Sequence, residues 1–306
     1  MPVTVVALSA HPTAGNTQVI LMMFTRRTMD LTSVDLIRVA HDRADVTIGP
    51  GVVPLAGGTW LFSEPQPHVR ELVDLTALGW APATADADGL TISATCTIRE
   101  LADLPPLAGW RSQHLVEACA RSLVASVKIW DSATVGGNIC LALPAGALIS
   151  LTTALDATAI IWTPDGGERR LPVADLVTGV RTTALGDGEL LRALHVRTTA
   201  LRGTAVFRRA ALTRHGRSGT VVIGRVDEDG TLVVTVTAGV PRPRQLRFDT
   251  LPDADCLRAA IEAIGEWYDD PHGSPDWRHA MTARLAEQVR QELTGVATGQ
   301  VGGGAA

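Results

Sequence analysis

Two adjacent glycines, Gly136-Gly137, stand between the small polar residues Thr134 and Asn138. Adjacent glycines can adopt positive φ, and they carry no Cβ that would hold a ligand away from the backbone. Main-chain N–H groups can then form a nest for an anion such as a phosphate, and the Thr and Asn side chains can add hydrogen bonds. A single Gly-Gly pair, by itself, is more often a plain tight turn.

A second pair of the same kind lies upstream, in the segment Pro54-Leu55-Ala56-Gly57-Gly58-Thr59-Trp60-Leu61. Two loops with few side chains can close on one extended ligand, each taking one phosphate. The repetition favours a binding site over two unrelated turns. This hypothesis requires that the two glycine pairs face a shared cleft.

Residues that could perform catalysis themselves do not form a recognisable motif. The sequence contains no G-x-S-x-G, no H-E-x-x-H and no phosphate loop with lysine. His195 fits a core histidine on a strand, whereas Arg214 and His215 fall in a loop that could face solvent or a partner. We therefore assign no catalytic residue and no metal ligand to the chain.

The composition is that of a soluble globular protein. The chain has 306 residues, of which 46% are hydrophobic and 19% charged, with a net charge of −5. No apolar run approaches the ~18 residues of a membrane helix. The acidic balance argues against binding to nucleic acid, which favours a basic face.

The cysteines form no metal-binding or redox motif. They are Cys96, Cys119, Cys140 and Cys256. Their wide spacing excludes a zinc or iron–sulfur motif and suggests buried thiols in a reducing compartment. We therefore expect a cytoplasmic protein.

Short strands and helices are predicted around the two glycine pairs. Residues 34–40 suit a short strand or the start of a helix. Strand patterns occur near 54–56, 70–75 and 90–94, and a strand at 159–162 is followed by a hairpin tip at 165–167. Helix patterns cover 114–127 and 144–156, on either side of the second pair, and a capping box opens a shorter helix at 97–102. Residues 1–28 lack this organisation, and we expect them to be poorly ordered.

The pattern changes after about residue 185. Strand-like segments at 190–196, 203–213, 220–227 and 231–239 precede two helices at about 253–266 and 274–293. Asp229-Gly230 joins the last two strands as a hairpin. Strands followed by helices indicate an α+β domain distinct from the first, here 185–293, and the Gly-rich stretch 294–306 predicts a flexible tail.

These motifs and their order resemble the FAD-binding medium subunits of the molybdenum hydroxylases. That family includes the FAD subunits of carbon monoxide dehydrogenase and the FAD domain of xanthine dehydrogenase. Residues 56–59 resemble its first FAD loop, 134–138 its second, and 90–101 the stretch between them. Gly188-Glu189-Leu190-Leu191 and Phe207-Arg208 resemble the start of its C-terminal domain.

The resemblance covers about residues 29–293 and implies an α+β fold. A two-subdomain FAD-binding domain of the vanillyl-alcohol-oxidase-like (PCMH) type would occupy residues 29–180. A smaller α+β domain, with an antiparallel sheet of three or four strands and helices, would follow at 185–293. FAD would lie between the two subdomains, and the smaller domain would cover its ring.

The same resemblance implies a set of FAD-binding residues. Backbone amides of both glycine loops would approach the diphosphate, and Val124, Leu191 and Arg208 would lie near the cofactor. The implied residues are Pro54, Leu55, Ala56, Gly57, Gly58, Thr59, Trp60, Leu61, Val124, Thr134, Val135, Gly136, Gly137, Asn138, Leu191 and Arg208. The FAD would be non-covalent, because neither loop has a His or Cys for attachment.

Two positions depart from the family pattern. Trp60 stands where many members have a small, polar or acidic residue. Ala147 stands where several relatives carry an aspartate that hydrogen-bonds the cofactor. The departure at Ala147 removes a carboxylate from this part of the implied site, and the indole of Trp60 could pack on the cofactor, cap the loop or belong to the core.

The resemblance implies an oxidoreductase subunit that works through its cofactor. Electrons would pass from a molybdopterin-binding large subunit, through [2Fe-2S] clusters of a partner chain, to FAD here and then to an external acceptor. Molybdopterin and [2Fe-2S] would be held only by partner subunits. Two alternatives stay open: a stand-alone FAD-dependent oxidase of the same superfamily, and a structural subunit that has lost FAD.

Overall fold

The computed structural model describes residues 31–297. The prediction about residues 1–28 therefore lies outside the described residues, as does the prediction about the tail beyond Ala297. The last helix continues through residues 294–297, which we had assigned to the tail. None of the helices described between residues 31 and 297 is long and apolar enough to cross a membrane.

The first subdomain is built on a parallel three-stranded sheet. Its strands are β1 (Leu36–Val39), β2 (Val52–Leu55) and β3 (Glu71–Asp74), in the order β1-β3-β2, with short 3-10 helices at Arg43–Asp45 and Thr76–Leu78. β3 is central and buries Val73 in a small core. Because β2 ends at Leu55, the first glycine pair leaves the sheet at the carboxyl end of a parallel strand, where ligands commonly bind.

The second subdomain packs helices against a five-stranded antiparallel sheet. Its elements are β4 (Ala83–Ala85), β5 (Gly89–Ser93), α1 (Ile98–Ala102), a 3-10 helix (Arg111–His114), α2 (Leu115–Ser122), α3 (Val127–Trp130), α4 (Val135–Cys140), α5 (Ala147–Ala154), β6 (Thr158–Trp162), β7 (Glu168–Pro172), α6 (Val173–Leu176), β8 (Val177–Gly179), β9 (Thr182–Thr183), β10 (Leu190–Arg197) and α7 (Thr198–Arg202). The strand order is β4-β5-β10-β6-β7. α5 is buried along its whole length and forms the centre of the core.

The position of β10 corrects the predicted domain boundary. We assigned residues 185–293 to the second domain, but β10 pairs with β5 on one side and β6 on the other. It is therefore the central strand of the second subdomain's sheet and belongs with the first predicted domain. A strand pattern shows that a segment pairs, but it does not show with which sheet.

Helix ends in this subdomain follow from local backbone chemistry. The Thr97 hydroxyl accepts a hydrogen bond from the Glu100 N–H and the Glu100 carboxylate accepts one from the Thr97 N–H, so the predicted capping box is present. The helix predicted over 114–127 is interrupted, because α2 ends at Ser122 and Val124 has φ 54. A β-branched residue with positive φ cannot continue a right-handed helix.

The C-terminal domain is a four-stranded antiparallel sheet covered by two helices. Its elements are β11 (Thr204–Ala210), β12 (Thr220–Val226), β13 (Leu232–Thr237), β14 (Arg244–Phe248), α8 (Ala254–Glu262) and α9 (Pro275–Ala297). The strand order is β11-β12-β13-β14, which agrees with the expected antiparallel sheet. The sequence patterns did not predict the charged strand β14. Asp253 caps α8 by accepting a hydrogen bond from the Cys256 N–H.

The two domains share one buried interface. The β12 side chains of Val221 and Ile223 belong to the same core as α5. Next to them, the buried Arg225 guanidinium pairs with Asp156 at 2.6 Å and with Asp227 at 2.7 Å. Asp156 belongs to the first domain, so this ion pair fixes the second domain against it.

Candidate functional site

A cleft of about 1090 Å³ opens between the two subdomains and the C-terminal domain. Its volume lies just above the usual range for small-molecule sites, about 300–1,000 Å³. All four glycines of the two pairs line it. The structure therefore meets the requirement set by the sequence, because both pairs face one shared cleft.

The two glycine segments touch at Gly57. A Cβ on this residue would lie 1.6 Å from the carbonyl O of Ser132, which directly precedes the second segment. Only glycine allows the backbones to approach so closely. Gly58 serves a different need, because its φ of 64 lies in the left-handed region.

The first segment presents a row of free backbone donors. Within the described part of the chain, the N–H groups of residues 56–61 donate no hydrogen bond. The carbonyls of Gly58 and Trp60, in contrast, accept hydrogen bonds from the Phe62 and Ser63 N–H groups. Unpaired N–H groups in a loop at the end of a strand can form a site for a phosphate anion.

The second segment differs from the expected loop. Thr134 is the N-cap of α4, and Gly136 and Gly137 lie in its first turn without positive φ. The Val135 N–H donates to Cys96 O at 2.8 Å, the Gly136 N–H to Ala94 O at 2.9 Å, and the Gly137 N–H to Thr134 Oγ1 at 3.2 Å. These donors are already used within the protein, which corrects the prediction of a second amide nest.

Glycine is needed in α4 for packing. A Cβ on Gly136 would lie 2.6 Å from the Cβ of Ala94 and 2.8 Å from its carbonyl O, so the start of α4 rests directly on the end of β5. Neither Gly136 nor Gly137 has positive φ, so the requirement for glycine in α4 comes from the close approach of its backbone to β5. The second segment is thus a wall of the cleft.

Asn138 supplies a side-chain donor to that wall. Its Oδ1 accepts a hydrogen bond from the Leu148 N–H at 3.0 Å, in the first turn of α5. This contact orients the carboxamide and leaves its NH₂ group without a partner among the described residues, in a side chain that lines the cleft. Ala147, where the family pattern has aspartate, is buried at the start of α5 and does not line the cleft.

Most of the other predicted site residues line the cleft. Trp60, Val124 and Leu191 do so. Val135 does not, because its side chain is fully buried in the core beneath α4. Arg208 also lies outside the lining, and its guanidinium forms an ion pair with Glu292 of α9.

Trp60 is held at the cleft by a cation. The Arg181 guanidinium lies 5.6 Å from the centroid of the indole ring and pairs with Glu64 at 3.3 Å. The indole N–H is buried and has no acceptor among the described residues. The tryptophan therefore belongs to the wall of the cleft and does not fill it.

Several polar residues of the cleft were not assigned to it from the sequence. Glu189 is held by Arg169, with both carboxylate oxygens bonded at 2.6 Å, and the hydrogen bonds from Arg169 keep the pKa of this carboxyl below its ordinary value. His215 and Arg217 reach the cleft from the loop between β11 and β12. Their polar loop was the available signal, since exposed loops carry sites more often than cores do.

The cysteines take no part in a metal site among the described residues. All four are free, and no group of three or more His, Cys, Asp or Glu side chains in residues 31–297 is placed to hold a metal ion. Burial raises the pKa of the Cys96 thiol to about 12. Cys140 and Cys256 are exposed, which corrects the prediction that all four thiols are buried.

The geometry fits a dinucleotide with a diphosphate bridge. The free N–H groups of residues 56–61 supply donors for the phosphates, and Gly57 lies where a Cβ would not fit. Apolar residues form much of the remaining lining and suit flat aromatic rings. Fold and site together define a two-subdomain dinucleotide-binding protein with a C-terminal α+β domain.

The family match gives the identity of this domain. Residues 46–197 match the family described as "FAD binding domain in molybdopterin dehydrogenase". This part of the chain is therefore identified as the FAD-binding domain of that family. The match ends at Arg197, the last residue of β10.

Solved structures share the fold over most of the chain. One is "Reconstituted CO dehydrogenase from Oligotropha carboxidovorans", with 21% identity, a TM-score of 0.73, and coverage of 83% of this chain and 96% of that chain. The Hydrogenophaga pseudoflava carbon monoxide dehydrogenase that lacks the Mo-pyranopterin moiety has 18% identity, a TM-score of 0.70, and coverage of 83% and 95%. Quinoline 2-oxidoreductase from Pseudomonas putida 86 has 20% identity, a TM-score of 0.69, and coverage of 86% and 97%. A comparison with curated proteins finds no match.

Proposed function

We propose that this chain is the FAD-carrying electron-transfer subunit of a molybdenum hydroxylase. In this proposal it receives electrons from the [2Fe-2S] clusters of a partner and passes them to an external acceptor. Its partners are a molybdopterin-binding large subunit and a [2Fe-2S] subunit, separate or fused. We place the assembly in the cytoplasm, because the four cysteines of this chain are all free, as is typical of a reducing compartment.

The observation that carries this proposal is that residues 56–61, whose N–H groups have no acceptor among the described residues, line a cleft shared with α4. Backbone donors fixed by a strand end and a tight turn bind a diphosphate without a rearrangement. The Asn138 NH₂ group adds a donor from the facing wall. Gly57, packed on Ser132, keeps the two walls together.

Bound FAD would supply the one- and two-electron chemistry that joins the partner centres to the acceptor. This chain's own residues would bind and orient the cofactor. We propose the following contact residues: Pro54 to Leu61, Val124, Thr134, Gly136, Gly137, Asn138 and Leu191. Val135 would act from the core by supporting α4.

Purification of the native complex through a tag on this chain tests the proposal. We expect FAD, molybdenum and iron to co-purify, with the flavin on this chain and the metals on its partners. Substrate of the molybdenum subunit should reduce the flavin in the complex and leave it oxidised in the isolated chain.

The two alternatives predict different results in the same experiment. A stand-alone oxidase would contain flavin that a small substrate reduces in the isolated chain, and no molybdenum would accompany it. A structural subunit would show no flavin absorbance bands, either in the complex or after incubation with FAD. Either result would overturn the proposed function.

A further inference from the structure

Arg217 brings an unpaired positive charge to the cleft from the C-terminal domain. It lies in the loop between β11 and β12, it is exposed, and it lines the cleft. Its guanidinium has no hydrogen-bond or ion-pair partner within residues 31–297. An arginine that is always protonated and has no counter-ion among the described residues is available to an anionic ligand.

The other charged residues of the cleft already have partners. Arg181 pairs with Glu64 at 3.3 Å and lies over the Trp60 ring. Glu189 pairs with Arg169 through both of its oxygens. The free charge of the lining is therefore positive, and it comes from Arg217.

The backbone around Arg217 is fixed by both domains. The Gly216 carbonyl accepts a hydrogen bond from Arg209 at 2.6 Å, and the Gly219 carbonyl accepts one from the buried Arg278 at 2.7 Å. Ser218 is buried and donates to Ser122 O at 3.4 Å, across the domain boundary. An anchored backbone with a free guanidinium lowers the entropy lost when the side chain binds a ligand.

The family resemblance implies that Arg208 places a positive charge near the flavin, but its guanidinium is paired outside the cleft. Its guanidinium pairs with Glu292 of α9 and donates to the Phe207 carbonyl. Arg208 is therefore neutralised outside the cleft. Arg217 follows one loop later in the same domain and is free.

We propose that Arg217 binds an anionic part of the flavin nucleotide and so joins the C-terminal domain to the cofactor. The inference rests on the proposed function, because it assumes FAD in this cleft. Two parts of the cofactor carry suitable charge: the diphosphate, and the isoalloxazine in its reduced anionic form. A guanidinium binds either through charge-assisted hydrogen bonds.

Binding measurements on Arg217→Gln, Arg217→Lys and Arg214→Gln test this inference. Arg214 is the matched control, because it lies in the same exposed loop and does not line the cleft. We expect Arg217→Gln to weaken FAD binding by about tenfold or more, in the oxidised or the reduced state, since hydrogen bonds to charged groups are among the stronger ones. Arg217→Lys should recover part of the loss, and Arg214→Gln should bind FAD like the wild type.

Measurements of ADP binding and of the flavin midpoint potential distinguish the two anionic parts that Arg217 could bind, the diphosphate and the reduced ring. If the diphosphate is the ligand, ADP binding also weakens in Arg217→Gln. If the reduced ring is the ligand, ADP binding is unchanged and the midpoint potential falls. Wild-type affinity for FAD and ADP together with an unchanged potential in Arg217→Gln would overturn the inference alone, whereas a wild-type chain that binds no FAD would overturn the proposed function as well.

Discussion

Gly57 and Ser132 lie in backbone contact, although they are 75 positions apart in the sequence. A Cβ on Gly57 would lie 1.6 Å from the Ser132 carbonyl O. This contact joins the end of β2 in the first subdomain to the segment that leads into α4 in the second. The cleft exists in its observed width because one residue at this point has no side chain.

Gly57→Ala should separate the two walls of the cleft. The added methyl meets backbone atoms, which cannot rotate away, so the subdomains must shift. We expect an unfolding free energy lower by about 1–3 kcal/mol, as for other overpacked sites. FAD affinity should fall by about tenfold or more, because a 1.4 kcal/mol loss already gives a factor of ten.

Gly49→Ala is the control for Gly57→Ala. Nothing lies within 4 Å of a Cβ added at Gly49, and its φ is not positive. Urea unfolding and fluorescence titration with FAD should give wild-type values for this variant. A Gly57→Ala protein that binds FAD as tightly as Gly49→Ala does would contradict the role of the contact.

Substitutions at Asn138 separate its effect on stability from its effect on the ligand. Asn138→Asp keeps an oxygen for the Leu148 N–H and replaces the free NH₂ group with negative charge. We expect near-normal stability and weaker FAD binding, because a carboxylate repels a diphosphate. Asn138→Ala removes both groups and should lower the unfolding free energy by about 1 kcal/mol. Thermal unfolding and FAD titration of the two variants measure these effects.

The two roles of Asn138, in stability and in ligand binding, would be contradicted if both variants lost the same FAD affinity and the same unfolding free energy. That result would mean that Asn138 acts only by accepting the hydrogen bond from the Leu148 N–H. The expected pattern is instead a larger stability loss in Asn138→Ala and a larger affinity loss, relative to stability, in Asn138→Asp.

The Asp156 ion pair should make the free energy of unfolding depend on pH in the acidic range. Burial alone raises the pKa of this carboxyl, but hydrogen bonds and charge from Arg247 and Arg225 outweigh burial and lower it. The stabilising contribution is therefore present above the ordinary value of 3.8 and is lost as pH falls through the lower folded value. Urea unfolding of the wild type between pH 7 and 2.5 should show the loss beginning near pH 4, about the pKa of an unpaired Asp.

Asp156→Asn should remove this contribution at all pH values. Because it leaves the buried Arg225 with one carboxylate partner fewer, we expect a loss of about 3 kcal/mol at pH 7 and a flatter pH dependence than in the wild type. Asp255→Asn, which removes an exposed pair with Arg258, should cost less than about 1 kcal/mol. An Asp156→Asn curve parallel to the wild-type curve would contradict the assignment.

Val124→Gly should relieve backbone strain and weaken the site. Val124 has φ 54, and a left-handed residue with a Cβ costs roughly 1–2 kcal/mol. Its side chain is 44% exposed, so little burial is lost and the unfolding free energy should rise by about 1 kcal/mol. FAD affinity should nevertheless fall, because the side chain lines the cleft.

Ala142→Gly is the matched control for Val124→Gly. Ala142 also has positive φ, 50, but it does not line the cleft. Its substitution should leave FAD affinity unchanged. An unchanged affinity in Val124→Gly as well would show that the strained residue does not contact the cofactor.

Sequence patterns determined much of the local structure. The capping box of Thr97 and Glu100, the hairpin at Asp229-Gly230 and the two C-terminal helices were predicted from residue types a few positions apart. Such features depend on short-range hydrogen bonds and on periodicity, which the sequence displays directly. The order of the motifs also predicted the family, which the match over 46–197 confirms.

Sequence patterns left the pairing partners and side-chain environments open. Nothing in Leu190–Arg197 distinguishes a strand of the first sheet from one of the second, yet it lies between β5 and β6. Arg208 and Arg217 are both arginines of the C-terminal domain, but one pairs with Glu292 and the other faces the cleft. Neighbours distant in sequence decide these outcomes.

The glycine pairs show most directly what the sequence determined and what the tertiary structure decided. Their residue types determined that two backbone segments could approach a ligand or another chain segment without side chains in the way. Only the tertiary structure decided that the N–H groups of residues 56–61 have no acceptor within residues 31–297, whereas those of Val135, Gly136 and Gly137 donate to Cys96, Ala94 and Thr134. A hydrogen bond depends on which acceptor the fold brings within reach, and that acceptor is absent from the local sequence.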